Sequence, residues 1–581
     1  MRIITLHCDY IKFKPLKKAL KSVKELEDKS EVVVKDPLVV LTAVEKGDAH
    51  EQVKQLAQAV QKTADEVKAK NIVLYPYAHL SSNLANPDTA QEYLIEAEKL
   101  LAKEGFKVQR APFGYYKEFE LKCKGHPLSE LSKEFRSEGA EKTEKPIEVK
   151  SLEKDEKEED PSKLLREISR SKLDTSKLKE NDHRILGQKL DLFSFNEAAP
   201  GQPFWHNNGL TIYNELVEFW RGIHDKYGYQ EVLTPQILDN KVWKVSGHWK
   251  LYRENMFLTH YEDRACGIKP MSCPGAMLIY RTKSRSYKDL PLRLCEVGVV
   301  HRKELSGVLS GLLRVIRITQ DDAHLFVTEE QLQEEILKVI KLFMEILDKF
   351  NFTYTFTLSV RSEEKKDKYL GDDKVWNAGE KALADGLKSL KLKFQTMPGE
   401  AKFYGPSLDI QIRDSLGREW QCASLQLDFN LPKRFELEYT DKDGKAKTPI
   451  LLHRVVFGSM ERFIAVLLEH TNGVLPFWLS PVQVRIINFT DRNVKSSEKV
   501  LQDLKSQVKG LRIDSDLRNT TVNDKVRDAE MQKIPYIIVI GEKEEESKTL
   551  AVRTRGNSKP KFGVKMQDLV SELTEKIEKR N

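Results

Sequence analysis

Along residues 1–135 the apolar positions switch between two periods. MRIITLHCDY and VVVKDPLVVLTAV are rich in β-branched residues and predict strands. HEQVKQLAQAVQKTADEVKAK sets Val53, Leu56, Val60 and Val67 at helical spacing. NIVLYPY predicts a buried strand, and PDTAQEYLIEAEKLLAKEG a second helix stopped by Gly105. Together these predict a compact α/β domain.

Over 136–180 the periodicity vanishes. EGAEKTEKPIEVKSLEKDEKEEDPSK is densely and mixedly charged and almost free of aromatics, a composition that cannot bury a core and predicts a linker. From 181 to 477 the strands carry polar residues between apolar ones, as in SLDIQIRDS and WQCASLQLDF. That alternation predicts an antiparallel sheet with one face open to a substrate. From 478 to 581 the pattern reads strand (FWLSPVQVRIINF), helix (SSEKVLQDLKSQV), strand (LRIDSD), helix (VNDKVRDAEMQ), two strands (YIIVIG and LAVRTR) and a final helix. This predicts a mixed or parallel α/β sheet.

The length of 581 residues suits three or four such domains, and 40% hydrophobic residues suffices for their cores. Lys+Arg 96 against Asp+Glu 89 gives +7, a bias that permits a nucleic-acid partner without requiring one. Six scattered cysteines do not make a disulfide framework and suit a reducing compartment. No apolar run approaches the ~20 residues of a membrane span, and the first residues lack a signal-peptide pattern, so the expected location is the cytoplasm.

The central block carries the chemistry. Arg302-Lys303-Glu304, then Thr319-Gln320-Asp321-Asp322-Ala323-His324, then Gly458-Ser459-Met460-Glu461-Arg462 are hard to explain as packing. Two arginines held apart can grip different phosphates of ATP, because a guanidinium presents its donors in a fixed fork.

IKPMSCPGAMLIY, DLPLRLCEVGVVHRKELSG, LLRVIRITQDDAHLF, KFYGPSLDIQI, REWQCASLQLDF and LLHRVVFGSMERF resemble, in wording and spacing, the threonyl-tRNA synthetases of class II. The resemblance implies that Arg302 holds the α-phosphate of ATP, Glu304 reads the adenine amino group, and Arg462 binds the γ-phosphate with Arg314 assisting. Ser459 and Gln426 complete the nucleotide site, and Mg2+ accompanies the triphosphate. Cys273, His324 and His453 match the family's zinc ligands, one Zn2+ per subunit. Three protein ligands leave a position open for substrate, here the amino and hydroxyl groups of L-threonine. Met271, Gln320, Asp322, Tyr404 and Gln426 match the amino-acid pocket. His248 matches the histidine that helps deprotonate the terminal ribose hydroxyl of tRNA, a task suited to a near-neutral pKa. Two positions depart from the family: Ala276 replaces the histidine after Cys-Pro-Gly, and Ser310-Gly311 replaces His-Gly.

A site that ligates a hydroxyl rejects valine by ~10⁴, whereas serine lacks only a methyl, worth about 1–3 kcal/mol. A second, hydrolytic site is therefore expected. YPYAHLSSNLANP and RAPFGYYKEFELKCKGHPLSELSK resemble the archaeal-type editing domain, which is related to D-aminoacyl-tRNA deacylases. This implies that His79, Tyr116, Lys117 and Glu130 serve hydrolysis of seryl-tRNA, with Lys117 orienting substrate or water. The C-terminal segments resemble the anticodon-binding domain shared with prolyl, histidyl and glycyl enzymes, which implies that Asn519, Glu544 and Arg553 read anticodon bases. The expected protein is thus a multidomain α/β and α+β ligase of threonine and tRNA(Thr) with an editing domain. It is expected to be a homodimer through GYQEVLTPQIL around Pro235. The alternative is a trans-acting seryl-tRNA hydrolase, or a tRNA-binding protein with an impaired ligase core.

Overall fold

The computed structural model describes residues 1–135, Leu165 and 178–580, apart from positions 21, 22, 24, 27, 82, 127, 363–368, 370, 403, 415, 416 and 558. The linker expected over 136–180 lies almost wholly outside the described residues. The chain forms two compact units, Met1–Glu148 and Val149–Asn581.

In the first unit the 17-residue strand Arg2–Lys18 is the spine of a seven-stranded sheet. Strands Val32–Lys35 and Pro37–Ala43 flank it, and Asn71–Pro76 and Lys107–Arg110 continue the sheet in parallel. Tyr115–Cys123 and Glu130–Glu134 pair with different halves of the same spine. The two expected helices form, at His50–Val67 and Pro87–Lys103. The first turns Val53, Leu56, Val60 and Ala64 onto the sheet, where they meet Leu38, Val40, Ile72 and Leu74. The second starts where the Asn86 side chain accepts from Thr89 N–H at 2.9 Å, with Pro87 in the first turn.

The second unit is built on an eight-stranded sheet in the order Gln230–Glu231, Leu292–His301, Arg317–Val327, Ile450–Val455, Glu419–Asp428, Ser407–Arg413, Thr353–Val360, Phe394–Pro398. Its six central strands are antiparallel, as expected, and both edge strands join in parallel. The strand made last, Ile450–Val455, lies near the centre, between Arg317–Val327 and Glu419–Asp428. Helices Leu332–Asp348 and Met460–Thr471 cover one face, burying Ile336, Val339, Phe343, Ile464 and Leu468 against Leu325, Leu425 and Leu452. The opposite face, expected to be open to a substrate, lines a cavity through Ser424 and Gln426. Its polar alternates Ser407, Asp409, Ser424 and Asp428 are each at most 5% exposed. They bond to one another and to neighbouring backbone rather than to bulk water.

The C-terminal part forms a five-stranded sheet ordered Ile513–Asp516, Val484–Asn488, Tyr536–Ile540, Leu550–Thr554, Lys561–Val564, mixed as expected. The short helix Glu542–Ser547 and the edge strand Lys561–Val564 were not legible in the sequence. Three arginines fasten this part to the large sheet's unit. Arg512 donates to Glu215 and to the carbonyls of Trp478 and Ser480. Arg555 donates to the Leu475 carbonyl, and Arg580 lies over the Phe219 and Trp478 rings.

Candidate active site

The chemistry gathers on the face of the large sheet away from its helices. In a strand alternate residues share a face, so Gln320, Asp322 and His324 point one way while Ala323 and Leu325 enter the core. Antiparallel register sets His324 directly opposite His453, and His453 opposite Gln426. These residues line a cavity of about 1120 Å³ together with Met271, Cys273, Arg302, Tyr404, Ser459, Arg462 and His248.

At its floor Cys273, His324 and His453 offer ligand-type atoms that all lie within 4.8 Å of one another, and all three residues are buried. Cys273 opens the helix Cys273–Tyr280, with Pro274 in the first turn. Burial pushes its thiol up and the His324 imidazole down. One thiol and two imidazoles that converge in this way could hold a metal ion, and the donor set suits zinc with three protein ligands. His453 Nε2 lies 3.0 Å from Asp428 Oδ2, which orients the ring and leaves Nδ1 toward the cluster. Asp428 also accepts from Asn430 and Leu431 N–H and is fully buried. It was missed in the sequence, although it falls on the same strand face as Gln426.

The cavity wall closes around this cluster. The Tyr404 hydroxyl donates to Gln426 Oε1, and Gln426 Nε2 donates to Ser424 Oγ at 3.0 Å. Burial raises Asp322 to about 7, with His453 opposing and Glu296 and Asp321 adding to the rise. Behind it Lys269 Nζ reaches Glu296 Oε1 at 2.9 Å and Thr234 Oγ1 at 2.8 Å, a buried pair that the sequence did not announce. Asp321 faces away from the cavity and accepts from Val456 and Gly458 N–H at 2.8 and 3.0 Å. Of the two carboxylates of the Asp-Asp pair, one therefore serves the pocket and the other the turn into the helix Met460–Thr471.

That turn places Arg462. Ser459 caps the helix by accepting from Arg462 N–H, and Glu461, fully buried, accepts from Thr319 N–H and Ser459 Oγ at 2.9 Å. Gly458 has φ +76°, and a Cβ there would stand 2.7 Å from the Cys422 carbonyl oxygen. Burial lowers the Arg462 pKa, and the nearby Arg314 and Arg302 lower it further. Two guanidinium groups lining one cavity, with a third near Arg462, suit a polyanion. Arg314 meanwhile pairs with Glu304 at 2.9 Å. His248 is buried, with Nδ1 2.7 Å from Ser246 Oγ and Nε2 3.0 Å from Met271 Sδ. Burial takes its pKa to about 4, below the near-neutral value expected, so the imidazole is neutral but a weaker base than that expectation requires.

The comparisons with known proteins fall on the same parts. Residues 1–135 match the archaea-specific editing domain of threonyl-tRNA synthetase. Residues 257–471 match the class II tRNA synthetase core domain (G, H, P, S and T), and residues 483–576 an anticodon-binding domain. A crystal structure described as the RNA-binding domain of threonyl-tRNA synthetase from Cryptosporidium parvum Iowa II is 38% identical with a TM-score of 0.65. The match covers 68% of this chain and 98% of that one. The chain belongs to the threonyl-tRNA synthetase family. Another family structure, described as a putative enzyme of Aeropyrum pernix, is 29% identical with a TM-score of 0.61, over 68% of this chain and 96% of that one. Among curated relatives, the threonine–tRNA ligase of Carboxydothermus hydrogenoformans is 46% identical over 402 residues, 68% of this chain and 62% of the relative. That of Caldanaerobacter subterraneus subsp. tengcongensis is 49% identical over 377 residues, 65% of this chain and 58% of the relative. The match thus spans about 60% of the length of these curated members.

Of the two departures from the family pattern, Ala276 is buried in the helix Cys273–Tyr280, and Ser310 forms an isolated bridge with Arg314. In the first unit Lys117 Nζ donates to the Pro112 and Tyr115 carbonyls at 2.9 and 3.1 Å and lies 5.0 Å over the Tyr75 ring. Tyr75 contacts Tyr77, and Tyr77 contacts His79, so an aromatic run joins two of the expected editing residues. Tyr116 points to the opposite side of its strand, over half exposed, with Lys17 above its ring. Glu130 lies on the strand that pairs with the other half of the spine. It stands in register with Leu6, whereas Lys117 is opposite Pro15. In the C-terminal sheet Arg553 pairs with Glu530 at 3.0 Å, Asn519 is exposed, and Glu544 accepts from Gly541 N–H at 3.1 Å, capping its own helix.

Proposed function

We propose that the chain is a threonine–tRNA ligase. It would activate L-threonine with ATP and Mg2+ to threonyl-adenylate and pyrophosphate, then transfer the threonyl group to tRNA(Thr). The observation that carries this reading is the convergence of Cys273, His324 and His453 on the floor of the same cavity that holds Arg302 and Arg462.

Zn2+, held by those three residues, would supply a Lewis-acid position that only an amino acid with a hydroxyl satisfies fully. Asp322, with Gln320 beside it on the strand, faces the substrate amino group, and Tyr404 and Gln426 close the opposite wall. Attack of the threonine carboxylate on the α-phosphorus builds negative charge there. Arg302 stabilises that charge as it forms, while Arg462 and Arg314 hold the outer phosphates in line. In the second step neutral His248 accepts the proton of the terminal ribose hydroxyl as that oxygen attacks the adenylate carbonyl.

The remaining assignments belong to the same reading. Domains run over 1–135 (editing), 136–180 (linker), 181–477 (catalytic) and 478–581 (anticodon). Lys117 and His79 serve hydrolysis of seryl-tRNA, and Asn519, Glu544 and Arg553 face the anticodon. A homodimer forms through the segment around Pro235, where Leu233 is 80% and Ile237 56% exposed. All six cysteines are free, which suits the cytoplasm. Among the described residues no helix is long and apolar enough to cross a membrane. The alternative of an impaired ligase core is not favoured, because every expected ligand and phosphate-binding arginine lines the cavity or pairs beside it.

The test is amino-acid-dependent ATP–pyrophosphate exchange with threonine, serine, valine and proline, without tRNA. Strong threonine activity, weaker serine and no valine support the reading. No exchange from folded, metal-containing protein refutes it.

A further inference from the structure

The side chain of His183 lies outside the segment matched to the class II core, is fully buried, and none of the steps above uses it. Its Nδ1 is 2.7 Å from Glu469 Oε1, which also accepts its backbone N–H at 3.1 Å. Its Nε2 accepts from the backbone N–H of Leu312 at 3.0 Å. Because Leu312 N–H can only donate, Nε2 is unprotonated and Nδ1 carries the proton toward Glu469. Glu469 is held from its other oxygen by Arg418.

Asp182, His183 and Glu469 offer ligand-type atoms within 4.8 Å of one another, but both imidazole nitrogens are already occupied by hydrogen bonds, so this trio is not a metal site. What the imidazole grips is a turn of the phosphate site. Gly311 beside it has φ +52°, and a Cβ there would stand 2.3 Å from His183 Nε2. The next carbonyl, Leu313, accepts from Arg462 Nε at 3.1 Å, and the next residue, Arg314, pairs with Glu304. Arg462 and Glu469 stand on one helix about two turns apart, hence on one face. That helix therefore pins the turn twice, at Leu312 through Glu469 and His183, and at Leu313 through Arg462.

We propose that His183 is a positioning residue for nucleotide binding. By fixing the turn Gly311–Leu313 it sets the carbonyl that engages Arg462 Nε, and so aims the two terminal nitrogens of that guanidinium into the cavity. The same grip places Arg314. This rests on the ligase reading for its substrate, ATP, and on the geometry alone for its mechanism.

The test compares wild type, His183→Ala and His183→Gln, whose amide oxygen can replace Nε2 as acceptor. The readouts are threonine-dependent ATP–pyrophosphate exchange and equilibrium binding of Mg-ATP without amino acid. His183→Ala is expected to raise the KM and Kd for ATP by about tenfold, leaving the KM for threonine within about twofold, and His183→Gln to recover most of the loss. Thermal melting keeps the reading clear. A lowered Tm with unchanged ATP constants, or equal losses for ATP and threonine, overturns the proposal, as does a Gln variant no better than Ala. If His183→Ala fails to fold, His183→Leu, which fills the site without offering an acceptor, is compared with His183→Gln by the same ATP-to-threonine ratio, and equal ratios overturn the proposal. Wild-type protein that binds ATP but exchanges with no amino acid refutes the ligase reading alone and leaves the ATP binding curves to decide this one.

Discussion

Replacing Lys269 by methionine isolates the buried pair beneath the amino-acid pocket. Lys269 is 0% exposed and Glu296 3%, and the ammonium reaches the carboxylate at 2.9 Å and Thr234 Oγ1 at 2.8 Å. Methionine fills nearly the same volume, so little cavity forms. The loss comes from Glu296, left charged and without its cation in a low-dielectric interior. Breaking a buried pair from one side costs about 3–5 kcal/mol. Unfolding entropy near 2.1 cal/mol/K per residue, over a unit of about 430 residues, makes each kcal/mol worth about 1 °C, so Tm should fall by about 3–6 °C. The double variant Lys269→Met/Glu296→Met removes both charges and should recover at least half of that. The assay is thermal unfolding of the three proteins under identical buffer. A fall in the single variant below about 1 °C, or a double variant no more stable than the single, refutes the reasoning.

Three further outcomes are expected. Burial holds Lys117 down at about 8 against an ordinary ~10.4, so the folded state binds fewer protons than the unfolded one between those values and gains stability as pH rises, while the cation itself is lost. Enzyme-catalysed hydrolysis of a seryl ester of tRNA, corrected for the spontaneous rate, should therefore decline as pH rises through about 8, and Lys117→Arg should extend the plateau upward. An unchanged profile in the arginine variant excludes the cation as the titrating group. Cys273→Ser should lower bound zinc, measured by elemental analysis, well below one per chain and reduce threonine activation by about 10²-fold, in line with losses at perturbed metal sites; full metal content in that variant removes Cys273 from the ligand set. Gly458→Ala, with φ +76° and the Cys422 carbonyl 2.7 Å from the new Cβ, should cost about 1–3 kcal/mol of strain and raise the KM for ATP, because the capped start of the Arg462 helix must shift. A normal Tm and KM would show that the turn yields freely.

The elements that local pattern determines were readable. The helices His50–Val67 and Pro87–Lys103 follow from apolar spacing and an Asn-Pro start, and the six antiparallel strands from alternation. The family resemblance picked out Cys273, His324 and His453, although nothing in their spacing does so; only register brings the two histidines opposite. What escaped reading depends on pairs remote in sequence. The grip of Asp428 on His453, the Lys269–Glu296 pair and the contact of His183 with Leu312 are each set by packing between segments, and each residue alone reads as an ordinary polar position. Alternation made the open sheet face legible, but not the partners that Ser424 and Asp428 find inside. The role expected of Glu544 is shared with a local one, since a Gly followed three residues later by Glu also closes a helix start.

The strand that carries His453 is the last of its sheet to leave the ribosome, and it belongs near the middle. Until Ile450–Val455 has been synthesised, Arg317–Val327 and Glu419–Asp428 each present a bare row of backbone donors and acceptors to the solvent, with no neighbour yet made to cover it. The growing protein therefore passes through a stage with two sticky seams facing each other across an empty slot, and with Cys273 and His324 made but His453 not. An ion held by Cys273, His324 and His453 would have to wait for the slot to be filled, and would then act as a late seal on a sheet already closed rather than as a seed for it. A chain cut short before Ile450 keeps both seams open, and such fragments should cling to one another or to a chaperone, whereas a chain cut after Asn472 should not.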